Sequence, residues 1–328
     1  MNRTFKIRAF AEFSVWFTRL LSGFQVELDD MAVEVRGVDK DGTFQKVTLI
    51  ASRTLELDSA TERAVGEAIR QGGQAEVWAS AGFLFPRDMP DAAARVIAES
   101  VPMLAVALDR VGGLLRWRYH LPGDHRPPRI RNFVIEFEAG VLDCPMVPSM
   151  ALGDHDAAVA DDADLAIQAM LSDGWVEPIG HELLREARAN RLSHPRSALV
   201  IGYAAAESGF REFAGILVPD ARWLLEKTPT PPLGKMMKDY LPELPVRRRL
   251  PTGNVAIPPR VRRVINTAAE RRNVVAHTGR DEPEIGEVEA VLSAVSDLLY
   301  LLDFYLGHEW ALQFVSHSAL EEVSHWPL

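Results

Sequence analysis

Long stripes of apolar residues at helical spacing constrain the fold of the second half of this 328-residue chain. Apolar residues that recur at alternating three- and four-residue steps share one face of an α-helix. The first stripe is Leu199, Tyr203, Ala206, Phe210, Phe213 and Leu217, ahead of Pro219. The second is Val288, Leu292, Val295, Leu299, Leu302 and Leu306, ahead of Gly307. Together they predict an all-α helical bundle.

The first part of the chain shows a different pattern, in which apolar and polar residues alternate over short stretches. Such alternation is typical of strands with one buried face. The alternating positions are Phe5/Ile7, Val33/Val35, Val47/Leu49 and Val134/Ile135/Phe137. Helices are predicted from Ser59, which has Glu62 at capping-box spacing, and from Pro90 to Val111. The run from Arg116 to His120 also alternates and is interpreted as a half-exposed strand, with a nucleic-acid contact through its aromatics and cations as the alternative.

A run of aspartates separates the two patterns. The stretch from Gly153 to Asp164 has five aspartates and no lysine or arginine, among mostly small residues. Like charges without large apolar residues are typical of solvated linkers. The sequence therefore predicts a mixed α+β domain over residues 1–150, an acidic linker over 151–175 and a helical domain over 176–328. A sensor or specificity role for the first domain is a hypothesis.

Composition and charge exclude several classes of protein. The single cysteine, Cys144, cannot form an intrachain disulfide or a cysteine-rich zinc site, and a reducing cytoplasm is the predicted location. The apolar stretch near the N-terminus is interrupted by Glu12 and Arg19, so neither export nor membrane insertion is expected. The formal net charge of −10 argues against unspecific coating of nucleic acid, because an acidic surface repels phosphates.

One region departs from this acidic balance. From Val246 to Arg280 there are nine arginines and a single acid, Glu270. Within it, the hexapeptide from Arg272 to His277 follows directly on a third apolar stripe, formed by Val261, Val264, Ile265 and Ala268. A guanidinium, an amide and an imidazole within about one and a half helical turns suit phosphodiester chemistry. These residue types favour RNA cleavage.

The hexapeptide resembles the ribonuclease motif of the HEPN family. Members of this family are small helical bundles found in bacterial defence and toxin systems and in some eukaryotic RNases. Their motif is an arginine, commonly followed by Asn, Asp or His, then a short gap and a histidine, a pattern that Arg272, Asn273 and His277 match. The resemblance covers roughly residues 178–307, and it suggests an ApeA-like bacterial defence protein.

The resemblance implies a metal-independent endoribonuclease that uses no cofactor. His277 would transfer the proton of the 2′-hydroxyl or of the leaving 5′-oxygen. Arg272 would hold the scissile phosphate, and Asn273 would orient His277 or the phosphate. Further contacts to RNA are predicted for Arg263, Arg271 and Arg280.

Helix geometry adds a constraint on this site. Residues five apart on a helix are separated by about 140° of rotation, so Arg272 and His277 cannot point the same way on one regular helix. HEPN members resemble two-fold dimers in which two motifs meet across an interface. We therefore expect a homodimer through the helical domain, and an antitoxin or a phage-derived trigger is a further partner that the resemblance suggests.

Two alternatives stay open at this point. Arg272 and His277 would also suit an ordinary helix C-terminus, where cations interact favourably with the helix dipole, with Gly279 as the stop. Several HEPN members resemble noncatalytic modules that bind RNA, nucleotide or a partner protein. Cleavage of RNA that depends on His277 would separate an enzyme from such a module.

Glu207 is a further candidate residue for the site. It lies four residues after Tyr203, on the apolar side of the helix predicted from the first stripe, where an unpaired carboxylate is costly. It is expected either to pair with Arg272 or to reach water. No metal site is predicted, since Asp154, His155 and Asp156 are neighbours on the acidic stretch and rarely converge on one ion.

Overall fold

In the computed structural model the chain divides into two compact units, Met1–Val176 and Glu177–Leu328. The first is a mixed α+β unit and the second is mostly helical, as the sequence predicts. The structure describes residues 3–17, 23–40, 44–60, 63, 75–78, 83–86, 91–121, 130–137, 140–145, 156–157, 163–227, 232–278 and 283–324.

The first unit is built around an antiparallel sheet. The described strands of the unit are β1 (Arg3–Phe17), β2 (Phe24–Leu28), β3 (Met31–Lys40), β4 (Phe44–Leu57), β5 (Ala75–Trp78), β6 (Phe83–Pro86), β7 (Ile130–Phe137), β8 (Gly140–Pro145) and β9 (Asp156–Ala157). The order in the sheet is β2-β3-β4-β1-β7-β8, with β9 parallel to β1, while β5 and β6 pair separately. The four stretches at Phe5/Ile7, Val33/Val35, Val47/Leu49 and Val134/Ile135/Phe137 all lie in strands, which confirms the prediction for them.

One long helix, α1 (Asp91–Tyr119), packs against β4, β1 and β3. This corrects two expectations: the helix continues beyond Val111, and the run from Arg116 to His120 is no strand but the last turn of α1 and the residue after it. Arg116, Trp117 and Tyr119 are all buried. An alternation over five residues is too short to distinguish the two-residue period of a strand from the 3.6-residue period of a helix. Here packing against the sheet favours the helix.

A second helix of this unit, α2 (Ala163–Ser172), lies within the predicted linker of residues 151–175. It packs on β2 and α1, and it buries Ala163, Ile167, Met170 and Leu171. The Gln168 side chain accepts a hydrogen bond from the backbone N–H of Glu27, at 3.0 Å, on the edge strand β2. Residues 163–172 are therefore an ordered part of the first unit, because four apolar side chains among the acidic ones supply a buried face. Residues 151–155 and 158–162 lie outside the described part.

The described helices of the second unit are α3 (Ile179–Asn190), α4 (Pro195–Leu217), α5 (Arg222–Lys227), α6 (Leu233–Lys235), α7 (Pro259–Thr278), α8 (Ile285–Tyr305) and α9 (His317–Ser324). Short 3₁₀ and π turns connect several of them. Pro195 opens α4, where its missing N–H costs nothing, and Gly307, with φ of +109°, follows the end of α8. Among the described residues no helix combines the length and the apolar composition that crossing a bilayer requires.

Helix α8 is the centre of this unit. All residues from 294 to 305 on α8 are buried, so the helix is covered on every side. The stripe of α8 that the sequence predicts is buried in full, and so is that of α4 except for the half-buried Leu217. Helix α4 packs on α3, α7 and α8, and α7 also packs directly on α8.

A glycine allows α3, α4 and α8 to approach closely. A Cβ atom on Gly180 of α3 would lie 2.7 Å from Cδ2 of Leu299, 3.0 Å from Cα of Gly209 and 3.1 Å from the carbonyl oxygen of Ala205. Two of these three atoms belong to the backbone of α4 and cannot rotate away. Gly180 is therefore required by the close contact of the helices.

We expect Gly180→Ala to lower the free energy of unfolding by about 1–3 kcal/mol, because the added methyl group overpacks this contact. Gly286→Ala is the matched control. Gly286 is likewise the second residue of its helix and follows an isoleucine, and no described atom lies within 4 Å of the position of its Cβ. The Gly286→Ala variant should have a free energy of unfolding up to about 1 kcal/mol higher than that of the wild type. Equal free energies for both variants, from urea unfolding, would contradict the packing argument.

Candidate functional site

Arg272 lies on the core-facing side of α7. The buried residues of this helix include Val261, Ile265, Ala268 and Val275. Arg272 follows Ala268 by four residues and precedes Val275 by three, so it occupies a position in the same stripe. A permanently charged group thus stands where the helical repeat calls for an apolar side chain.

Two side chains of α4 meet this guanidinium. Nη2 of Arg272 lies 3.5 Å from Oε1 of Glu207, and Cζ of Arg272 lies 4.7 Å from the centre of the Tyr203 ring. Tyr203 and Glu207 are one helical turn apart, so they stand side by side on the face of α4 that packs against α7. The contact between Glu207 and Arg272, one of the two outcomes expected for Glu207, is present in the structure.

The three side chains differ in their access to solvent. The side chains of Arg272 and Glu207 are 33% and 20% exposed, whereas Tyr203 is 4% exposed. An ion pair that solvent reaches to this extent contributes about 0–1 kcal/mol to stability. Nε of Arg272 is buried and has no hydrogen-bond partner among the described residues. The guanidinium therefore has one anchored side and one side that faces outwards.

Electrostatics couple Tyr203 to both charged neighbours. Burial raises the pKa of the Tyr203 phenol above its usual value, the Glu207 carboxylate raises this pKa further, and Arg272 opposes both. Tyr203, Glu207 and Arg272 thus form one interacting cluster.

The other two residues of the motif lie farther along α7. Asn273 is exposed, on the side of the helix that also exposes Asn266 and Glu270. Position 277 continues this spacing of three and four residues. His277 belongs to the last turn of α7, but its side chain lies outside the described residues. The structure therefore brings Arg272 and Glu207 together and leaves the predicted role of His277 as a prediction.

The arginines predicted to contact RNA differ in their surroundings. Arg263 is exposed and lies nine residues before Arg272, which is half a rotation around α7, so the two point to opposite sides. Arg271 makes a two-point ion pair with Glu287 of α8, with nitrogen to oxygen distances of 2.8 and 3.2 Å. Arg280 lies outside the described residues. The ion pair of Arg271 with Glu287 thus joins α7 to α8, and contact of Arg271 with RNA stays a prediction.

A second polar cluster lies inside the bundle. Nε2 of His181 is 2.8 Å from Oδ2 of Asp303, and the ring of His181 packs on Tyr300. Arg185 pairs with Glu177 nearby along the chain. The side chains of His181 and Asp303 are only 6% and 5% exposed, so this pair joins α3 to α8 and is closed to a large substrate. His181 lies in the first turn of α3.

No group of three or more His, Cys, Asp and Glu side chains in the described part of the chain is placed to hold a metal ion. Asp154 and His155 of the acidic stretch lie outside that part. Comparison of the chain with protein-family models, with curated proteins and with solved structures finds no match. The case for a functional site therefore depends on the residues themselves.

Tyr203 is the member of the cluster that sequence reasoning missed. Its place in the apolar stripe of α4 predicts a core residue, and it is indeed buried. The sequence feature that could have identified Tyr203 as a site residue is the carboxylate of Glu207, one turn later on the same side of the helix. A phenol and a carboxylate at this spacing can both contact one cation.

The charges around Tyr203 predict how its pKa responds to substitution. Glu207→Gln should lower the pKa of Tyr203, because a negative charge is removed, and Arg272→Ala should raise it, because a positive charge is removed. A pH titration followed by NMR of the tyrosine Cζ carbons measures both. Glu287→Gln, which removes a carboxylate paired with Arg271 instead, should leave this pKa unchanged, and shifts of the opposite sign would disprove the coupling.

The same pKa has a consequence for stability. The pKa of Tyr203 is higher in the folded than in the unfolded chain, so this phenol contributes stability that is fully present below about pH 10. The contribution is lost as the pH rises through the folded-state pKa. Tyr203→Phe should therefore weaken the dependence of the unfolding free energy on pH above about pH 10.

Proposed function

We propose that this protein is a HEPN-type endoribonuclease that cleaves RNA by transesterification at the 2′-hydroxyl. The observation that carries the proposal is the anchoring of Arg272. A cation that is held by Glu207 and Tyr203 on one side and is 33% exposed is prepared to receive a phosphate. An ordinary helix-terminal arginine has no need of a carboxylate and an aromatic ring on a neighbouring helix.

In the proposed reaction the ribose 2′-oxygen attacks the adjacent phosphorus. The bond from the 2′-oxygen to phosphorus forms while the bond from phosphorus to the 5′-oxygen breaks, which leaves a 2′,3′-cyclic phosphate and a free 5′-hydroxyl. One imidazole, His277, takes the proton of the 2′-hydroxyl, and a second imidazole protonates the leaving oxygen. Arg272 stabilises the charge that builds up on the phosphoryl oxygens, and Asn273 orients the phosphate or His277.

The need for two imidazoles favours a homodimer through the helical domain. Arg272 and position 277 project about 140° apart from one regular helix, so a single copy presents them poorly to one phosphate. A two-fold axis beside the end of α7 would supply the second set. A cytoplasmic growth-arresting or antiphage effector is the biological role we propose on the basis of the resemblance, with an antitoxin or a phage-derived trigger as its regulator.

The first experiment incubates the purified full-length protein with total RNA in the presence of EDTA. Wild type should cleave, and His277→Ala and Arg272→Ala should each lose at least about a hundredfold in rate, because each removes a group that acts in the transition state. Arg272→Lys should also be impaired, since an ammonium cannot bind a phosphate in the bidentate manner of a guanidinium.

The matched controls for these variants are His317→Ala and Arg248→Ala. The His317 side chain is 87% exposed on α9, and Arg248 is exposed and pairs with Glu309. Both should cleave like wild type. If His277→Ala cleaves at the wild-type rate, the assignment is wrong, and tight RNA binding without cleavage would instead favour a noncatalytic RNA-binding module.

The mechanism also predicts which substrates resist. A DNA oligonucleotide of the same sequence should remain intact, and one 2′-deoxy substitution on the 5′ side of a cleaved bond should block that bond alone, because the nucleophile is missing. Mass spectrometry of the products should find the cyclic phosphate on the 5′ fragment. Cleavage at the substituted position would exclude attack by the 2′-hydroxyl.

A further inference from the structure

A buried tyrosine lies directly against the guanidinium that is proposed to bind the phosphate. Tyr203 is 4% exposed, and its ring centre is 4.7 Å from Cζ of Arg272. Burial and the charges of Glu207 and Arg272 together act on its phenol. Tyr203 thus contacts Arg272 through its ring, while the ion pair of Arg272 with Glu207 has a single contact, at 3.5 Å.

We infer that Tyr203 is a positioning residue, which holds the Arg272 guanidinium in the orientation that receives the scissile phosphate. The inference rests on the proposed ribonuclease function and adds a residue to it. Tyr203 acts through Arg272 and is itself too deeply buried to meet a large substrate.

The ion pair alone is a poor means of holding Arg272. Arginine has a long side chain with several rotatable bonds, and one contact between Nη2 and Oε1 leaves the guanidinium free to pivot about it. Nε of Arg272 has no partner among the described residues that would stop this rotation. A second point of contact is needed, and the ring of Tyr203 supplies it.

An aromatic face suits this task because it consumes few hydrogen-bond donors. A guanidinium has five N–H groups, and a carboxylate or a phosphate takes up to two of them in a bidentate contact. Attraction of the cation to the ring requires none, so the donors needed for a phosphate remain available. A second carboxylate in place of Tyr203 would occupy the same donors and would neutralise the charge that the phosphate needs.

The ring contact does not depend on the phenolic hydroxyl. The ring of Tyr203 lies against Arg272, and Glu207 stands one turn later on α4. Tyr203→Phe keeps this ring, and Tyr203→Leu removes it.

The control for loss of packing is Phe210→Leu. Phe210 lies two turns after Tyr203 in the same stripe of α4, is fully buried, and packs on Phe213. Its replacement by leucine is the same kind of loss as Tyr203→Leu, in the same helix. Phe210→Leu should lower the melting temperature and leave the contacts of Arg272 unchanged.

The test measures kcat and KM on a short RNA together with the NMR order parameter of the Nε–H bond of Arg272, in the full-length protein at a temperature well below unfolding. We expect Tyr203→Leu to lower kcat about tenfold or more, with KM within about twofold, because orientation matters most in the transition state. Its Arg272 order parameter should fall. Tyr203→Phe should lose less than about threefold in kcat and keep the order parameter, and Phe210→Leu should change neither.

The outcomes separate this inference from the function on which it rests. If wild type cleaves RNA with the aid of His277 but Tyr203→Leu matches it in kcat and in Arg272 order, the positioning role is overturned and the ribonuclease stands. Equal losses of kcat in Tyr203→Leu and Phe210→Leu would also overturn it, since packing would then explain both. If wild type does not cleave RNA, the ribonuclease proposal fails, and an unchanged order parameter in Tyr203→Leu would overturn the contact's role as well.

Discussion

The proposed site depends on how the helical unit accommodates one cation in an apolar stripe. Arg272 cannot lose its charge, so burying its position in α7 is tolerable only if neighbouring groups interact favourably with that charge. Glu207 and Tyr203 do this from α4, one by charge and one through its ring face. A leucine would fill the same position at no electrostatic cost. The presence of a guanidinium together with two matched partners is therefore better explained by the proposed binding of a phosphate than by a contribution to stability.

Ion pairs and a close helix contact join the helices that carry this arrangement. Arg271 pairs with Glu287 and Arg260 with Asp297, so ion pairs near both ends of α7 hold it against the central helix α8. The close contact at Gly180 holds α4 against α3 and α8 in turn. Tyr203 and Glu207 thus both lie on one regular helix, α4, where side chains are placed more precisely than on loops. The proposed phosphate site would require support of this kind.

How far the sequence predicts this structure depends on the length of each pattern. The stripes of α4 and α8 run over 18 residues or more and predict both helices and their buried faces, because a long period of 3.6 is unambiguous. The five residues from Arg116 to His120 are too few for that, and tertiary packing made them helical. Pairing between α7 and α8 could not be read from the sequence either, since Arg271 and Glu287 lie on different helices. The same holds for the ring contact of Tyr203, which needs the crossing of α4 and α7.

The most direct test of the account follows Arg272 and His277 in one NMR titration with a 2′-O-methyl RNA, which binds but lacks the nucleophilic hydroxyl. If both side chains serve one phosphate, the Nε–H signal of Arg272 and the imidazole signals of His277 shift along the same binding curve, and Arg272→Ala weakens that curve. If RNA binds and the Nε–H signal of Arg272 does not shift, or if only the imidazole signals of His277 shift, the two residues do not share a site. That result would contradict the central claim.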